Sequence, residues 1–246
     1  RKIVLTNEGI LLRRRAEEIL ELVDKTEREL TDQDKMIGGK VSIGCGDLTA
    51  VQLLPKLIQS FHERYPAVTF DLYTATADHI RDRMDRGLTD VGLLLEPVSM
   101  EKYDYIALNP QEQWVVAMSP GAPLAKLECI TPEDLKGAPL ILPRRLDVQS
   151  ELARWFGDEF EKLNILMTAN LPSNSSVMAH YKLAYAIIIL GSISFWNPDK
   201  IVWRPLEPRL KASSVLAWRR KQPFGLAAEK FIKHVKEALR GGGEGI

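Results

Sequence analysis

The first stretch able to do chemistry is VSIGCGDLTAV, residues 41–51. A strand-like run meets Gly44-Cys45-Gly46, and a helix start follows at Asp47-Leu48-Thr49. Strand, glycines and helix start are the parts that cradle a phosphate. A dinucleotide fingerprint needs a third glycine, and Thr49 stands in its place. No acidic residue closes a following strand at the distance a ribose would need. What remains is a set of backbone N–H groups at Asp47–Thr49, expected to be unpaired and open to an anion or polar ligand.

Other reactive side chains are scattered. His62, His79, His180 and His234 lie in separate helical stretches, none at metal-ligand spacing from a cysteine, an aspartate or a second histidine. Cys45 and Cys129 form no CxxC pair, which argues against a disulfide framework or a zinc site. Cys45 reads as a buried, inert thiol. Asp82, Asp85 and Asp90 interleave with Arg81, Arg83 and Arg86, as on a solvated helix face carrying ordinary ion pairs. Trp155, Phe156, Trp196, Trp203 and Trp218 follow no basic stripe and read as packing residues. Without a nucleophile elbow, phosphate loop or Cys–His signature, no residue volunteers for catalysis, and neither a cofactor nor a metal is implied.

The elements that must position these groups fall into three parts. In the first helix, Leu12, Ala16, Ile19, Val23, Thr26 and Leu30 alternate in steps of four and three, the spacing of a heptad seam. Thr6 is its expected N-cap. The stripe suits either packing on the chain's own domain or a two-helix contact; its narrowness favours the contact. Gly38-Gly39 punctuates the end. From Lys40, strand and helix patterns alternate through VTFDLY and DVGLLL, as in parallel strands with helical crossovers. A second series starts at WVVAM and runs through APLILP, a helix over Asp147–Leu163, ILMTAN, a helix over Ser175–Tyr185, AIIIL, IVWRPL and SSVLAWR. A last helix spans Phe224–Arg240, and GGGEGI reads as a loose tail. Two α/β units joined by two crossing strands make a cleft at the carboxyl ends of the strands.

With 246 residues, zero formal net charge and 27% charged side chains, the chain is large enough for two cores and has no global pull towards nucleic acid or anionic membrane. No apolar run is long enough to span a membrane. The free cysteines suit a reducing cytoplasm.

Several stretches together resemble the LysR-type transcriptional regulators. RKIVLTNEGILL is similar to the end of that family's winged helix-turn-helix running into its linker helix. GKVSIGCGDLTAVQLLPKLIQSFHERYPAVTFDLY resembles the start of its effector domain, with Leu54-Pro55, Phe61 and Tyr65-Pro66 in place. GLTDVGLLL matches a Gly-x-x-Asp-x-Gly strand entry, and APLAKLECITPEDLKGAPLILP matches a Pro-Leu-Ala segment and an Asp-Leu-x-Gly turn.

The resemblance implies a periplasmic-binding-protein-like α/β fold of two subdomains, with a small-molecule effector between them. It also implies homodimers that assemble into homotetramers on promoter DNA. On this reading residues 1–5 are the stump of a wing and 6–39 the linker helix and hinge. Residues 40–110 with 220–246 form subdomain I, and 111–219 form subdomain II. By position, the effector site maps to Asp47, Leu48, Thr49, Thr76, Ala77, Leu95, Pro143, Arg144, Gly191 and Ser192.

Leu95 stands where some relatives carry a cation, which leaves Arg144 as anion contact or as an exposed arginine. The family's Gly-x-Gly-Ile turn and following Leu-Pro are replaced by Ala184, Ala186 and Gly191. A solute-binding protein of a transport system, or an enzyme using the same cleft, would share the core fold. The wing-like start and heptad helix speak against the transport role.

Overall fold

A computed structural model describes residues 5–31, 37–109 and 111–241. The expected wing strand before Leu5, the tail beyond Gly241 and the side chain of Leu30 lie outside the described residues.

Helix α1 spans Asn7–Thr31. Thr6 caps it as expected, its Oγ1 accepting the Gly9 N–H at 3.1 Å. Backbone and Thr6 hydrogen bonds hold the Glu8 carboxyl below its ordinary pKa at this helix start.

The first unit comprises β1 (Gly39–Cys45), α2 (Leu54–Arg64), β2 (Val68–Thr74), α3 (Ala77–Asp85), β3 (Val91–Leu95) and β4 (Tyr103–Ala107). The second comprises β5 (Glu112–Met118), β6 (Leu140–Pro143), α4 (Leu146–Phe156), β7 (Ile165–Ala169), α5 (Pro172–His180), β8 (Tyr185–Ile189), β9 (Val202–Pro205) and β10 (Lys211–Ala212). The chain then returns to the first unit with β11 (Ser214–Arg219) and α6 (Leu226–Gly241).

The first sheet has the order β2-β1-β3-β11-β4, and the second β10-β5-β8-β6-β7, with β9 also pairing β5. The three strands β2, β1 and β3 run parallel, as strand–helix alternation requires. One antiparallel strand enters each sheet at a crossing: β11 against β3, and β5 against β8.

This topology corrects the expected boundary at residue 219. Residues 214–219, expected in subdomain II, lie instead in the first sheet, where Val215 pairs with Leu94 and with Ala107. Five of the six β11 residues are buried, and such a continuous apolar run carries no sign of which sheet receives it.

Two helix ends also differ. The helix expected to reach Leu163 stops at Phe156, because Gly157 takes φ +59° and the chain continues as a 3₁₀ turn. The helix expected to reach Tyr185 ends at His180, and Tyr185 begins β8.

The main core is continuous across both units, joining residues such as Val41, Leu57 and Phe231 with Trp114, Leu140 and Leu152. Phe231 on α6 meets Phe61 at 5.2 Å and Phe70 at 5.3 Å, both nearly edge to face, so the last helix closes the first sheet beside α2. On the opposite side, α3 is keyed into the sheet by two glycines. A Cβ at Gly44 would meet Ile80 Cγ2 at 2.5 Å, and one at Gly92 would meet Met84 Sδ at 2.6 Å.

Arg83 of α3 and Arg86, its C-cap residue, hold α1 by its polar edge: Arg83 reaches Glu21 at 2.7 Å and Arg86 reaches Glu18 at 3.1 Å. Arg83 is steadied by the Tyr73 ring, 4.2 Å below its guanidinium. Asp90 does not share a solvated face as expected. It is buried and its carboxylate accepts the Ser42 N–H at 2.8 Å.

The seam of α1 faces solvent. Leu12 is 70% exposed and Ile19 62%, and Ala16, Val23 and Thr26 are exposed too. Leu11, Leu20 and Leu22 are also exposed, so the apolar surface is broader than the seam alone.

Candidate functional site

A cleft of about 600 Å³, counting its open mouth, lies at the carboxyl ends of the parallel strands. The first unit contributes Gly46, Asp47 and Leu48 after β1, Ala75 and Thr76 after β2, and Leu95 at the end of β3. The second contributes Trp114, Pro143, Arg145, Val148, residues 169–172, Ser175 and Ile187–Ile189. Its walls are mostly apolar, and among the described lining residues the ionisable side chains are Asp47 and Arg145.

The helix start expected to be open is already filled. The chain after Leu48 enters a 3₁₀ turn, Thr49–Leu53, that feeds α2. The N–H groups of Thr49 and Ala50 donate to Glu112 Oε2 and Oε1 at 2.9 and 3.0 Å. Leu48 N–H donates to the Gly46 carbonyl. Glu112, fully buried at the start of β5, is thus an internal anion from the second unit seated where a ligand anion was expected. Gly191 seals the arrangement. A Cβ there would lie 2.0 Å from Thr49 N and 2.4 Å from the Leu48 carbonyl carbon, so only glycine fits.

Arg145 crosses the cleft. Its guanidinium donates to Asp78 Oδ2 at 3.1 Å, to the Leu95 carbonyl at 3.2 Å and to the Pro97 carbonyl at 2.7 Å. All three partners belong to the first unit, while Arg145 sits between β6 and α4 of the second. Its side chain is 10% exposed. The neighbouring Arg144 is exposed and off the lining. Of the two readings of Arg144, anion contact or exposed arginine, the structure has the exposed one: its backbone N–H donates to the Ala169 carbonyl and its side chain is off the lining, whereas Arg145 lies on it.

The cleft brings together five of the ten expected residues: Asp47, Leu48, Thr76, Leu95 and Pro143. Thr49, Ala77, Gly191 and Ser192 join Arg144 off its lining. Thr49 and Gly191 pack against each other behind it, Ala77 is buried in α3, and Ser192 Oγ donates to the Ile189 carbonyl at 2.6 Å. The residues that sequence reasoning missed are Arg145, Trp114 and the β7–α5 stretch Asn170-Leu171-Pro172. Pro172 at a helix start was the available signal for that last loop.

Two polar atoms of the lining residues are buried without a hydrogen-bond partner: Asp47 Oδ2 and Trp114 Nε1. Thr76 Oγ1 lies 2.9 Å from His79 Nδ1. Burial pushes the Cys45 thiol pKa up, and the negative Asp47 adds to that rise against a hydrogen bond with Thr74.

The family model of the LysR substrate binding domain matches residues 35–240. An uncharacterized HTH-type transcriptional regulator of Bacillus subtilis, YvbU, is 27% identical over 236 residues, covering 96% of this chain and 80% of that protein. The Hca operon transcriptional activator HcaR of Escherichia coli is 26% identical over 245 residues, covering 97% of this chain and 81% of its own. Among solved structures, CbnR, a LysR family transcriptional regulator, superimposes with a TM-score of 0.72 at 20% identity, over 96% of this chain and 82% of that one.

Proposed function

The chain belongs to the LysR substrate binding domain family, and from that premise we propose that it is the effector-sensing and oligomerisation part of a LysR-type transcriptional regulator. A small molecule binds in the cleft between the two units. The observation that carries this reading is the cleft itself, walled by both units and bridged by Arg145. A ligand seated there touches both halves, so its affinity depends on how they are set, and binding shifts that setting.

The exposed seam of α1 pairs with the same helix of a second copy, and such dimers assemble into tetramers on promoter DNA in the cytoplasm. On this reading the regulator contacts DNA through a winged helix-turn-helix domain. The cleft acts as a receptor and not as a catalyst, which fits its one free carboxylate and one committed guanidinium.

The test is a footprint of the protein with its DNA-binding domain on the promoter of a neighbouring operon, with and without metabolites that raise its melting temperature. The expected result is a protected region whose extent changes with the metabolite. A protein that protects no promoter DNA under any condition would refute the regulator reading.

A further inference from the structure

Taking the cleft as the sensing site proposed above, we infer that its ligand is a compact, largely apolar molecule that carries a hydrogen-bond donor, best a protonated amine, directed at Asp47, and that it is not a carboxylate. Three observations converge. First, the backbone N–H pair suited to an anion, at Thr49 and Ala50, is filled by Glu112. Second, Arg145, the sole cationic side chain among the described lining residues, already serves Asp78 and two carbonyls. An incoming anion would have to break those bonds. Third, Asp47 Oδ2 is buried with no partner.

A carboxylate oxygen away from water without a donor is costly, and a ligand N–H or O–H removes that cost. Trp114, 3% exposed, also lines the cleft, and its buried Nε1–H has no partner, a donor that a neutral ligand acceptor reaching it would satisfy. The remaining walls, Leu48, Leu95, Val148 and Leu171, fit an apolar body.

Charge sets the expected selectivity. At a contact separation of about 4 Å and an effective dielectric near 20, the Coulombic preference is about 1,000-fold; with about half of that free energy lost to stripping water from the ligand charge, about 30-fold remains, in opposite senses for an amine and a carboxylate.

The experiment uses probes that share a ring and differ in head group: benzylamine, benzyl alcohol and benzoate. Binding is read from the Trp114 indole N–H resonance, assigned by its loss in Trp114→Phe. Benzylamine is expected to bind about 30-fold more tightly than benzyl alcohol, with benzoate weakest. Asp47→Asn should bring benzylamine down to the level of benzyl alcohol.

Benzoate shifting the resonance at lower concentration than benzylamine would overturn the donor inference while leaving a small-molecule cleft in place. An Asp47→Asn chain with native circular dichroism and unchanged benzylamine binding would overturn it as well. Silence of all three probes at Trp114 would overturn the inference, while the sensing reading would still stand or fall by the promoter footprint. The ranking on the unaltered chain decides the matter even if a variant misfolds.

Discussion

Replacing Glu112 by glutamine changes one atom and a charge at the point where the second unit grips the first. Both carboxylate oxygens accept a backbone N–H, from Thr49 at 2.9 Å and Ala50 at 3.0 Å, and the residue is fully buried. Glutamine keeps one acceptor and turns the other position into an N–H₂ facing a backbone N–H. The loss is one charge-assisted hydrogen bond plus a stranded buried donor, about 3 kcal/mol in all. For a chain of this size that lowers the melting temperature by roughly 6–12 °C. Equilibrium unfolding in urea, followed by circular dichroism, measures the difference directly.

The Thr49 amide also faces Gly191, where a Cβ would lie 2.0 Å from Thr49 N. Gly191→Ala displaces that N–H from Glu112 and should cost about 3 kcal/mol by overpacking. Because both changes act on one pair of bonds, the double variant should cost at least about 1 kcal/mol less than the sum. Gly121→Ala, whose nearest new neighbour is Lys182 Nζ at 4.0 Å, is the control and should stay within about 0.5 kcal/mol of the parent chain. A Glu112→Gln chain destabilised by less than about 1 kcal/mol, or a strictly additive double variant, would refute the reasoning.

Arg145→Ala should destabilise by about 2 kcal/mol, since it strips donors from the Leu95 and Pro97 carbonyls, whereas Asp78→Asn should cost under about 1 kcal/mol because Asp78 is half exposed. Equal urea midpoints for the two variants would contradict that ordering. Leu12→Glu combined with Ile19→Glu should halve the mass seen by light scattering, and a persistent dimer would show that the α1 seam does not hold the copies together. His234 has its pKa lowered, chiefly by burial and in part by Arg64, against a favourable Glu237. A depressed folded pKa means that stability is present above the ordinary histidine value near 6.5 and is lost as pH falls through the folded value. The melting temperature should therefore drop as pH falls below about 6.5, and His234→Gln should flatten that slope.

Much of the fold was legible because its signals are local. The stop at Gly157 is the exception: it adopts positive φ, yet the expected helix runs through it because Phe160 and Leu163 keep the apolar rhythm beyond it. The allocation of β11 was not legible, because strand pairing is decided by contacts across more than a hundred residues. Of the positions carried over by resemblance, Asp47, Leu48, Thr76, Leu95 and Pro143 lie on the cleft lining and the other five lie off it, because resemblance places a loop without fixing which way each side chain turns. Arg144 and Arg145 are adjacent and chemically identical, and the extended backbone between β6 and α4 sends them opposite ways. Glu112 was invisible for another reason. A single glutamate before an apolar strand reads as an ordinary edge charge until the helix start it serves, 62 residues earlier in the chain, is brought against it.

Helix α3 is nine residues long, about 13 Å. At its head Asp78 is held by Arg145 of the second unit; towards its tail Arg83 and Arg86 hold Glu21 and Glu18 of α1. Between them Ile80 and Met84 sit over two glycines that leave no slack for sliding. So short a helix, seated without slack, puts the second unit and α1 on one stiff element: Arg145 grips its head, and Arg83, with Arg86 just past its last turn, ties its tail to α1.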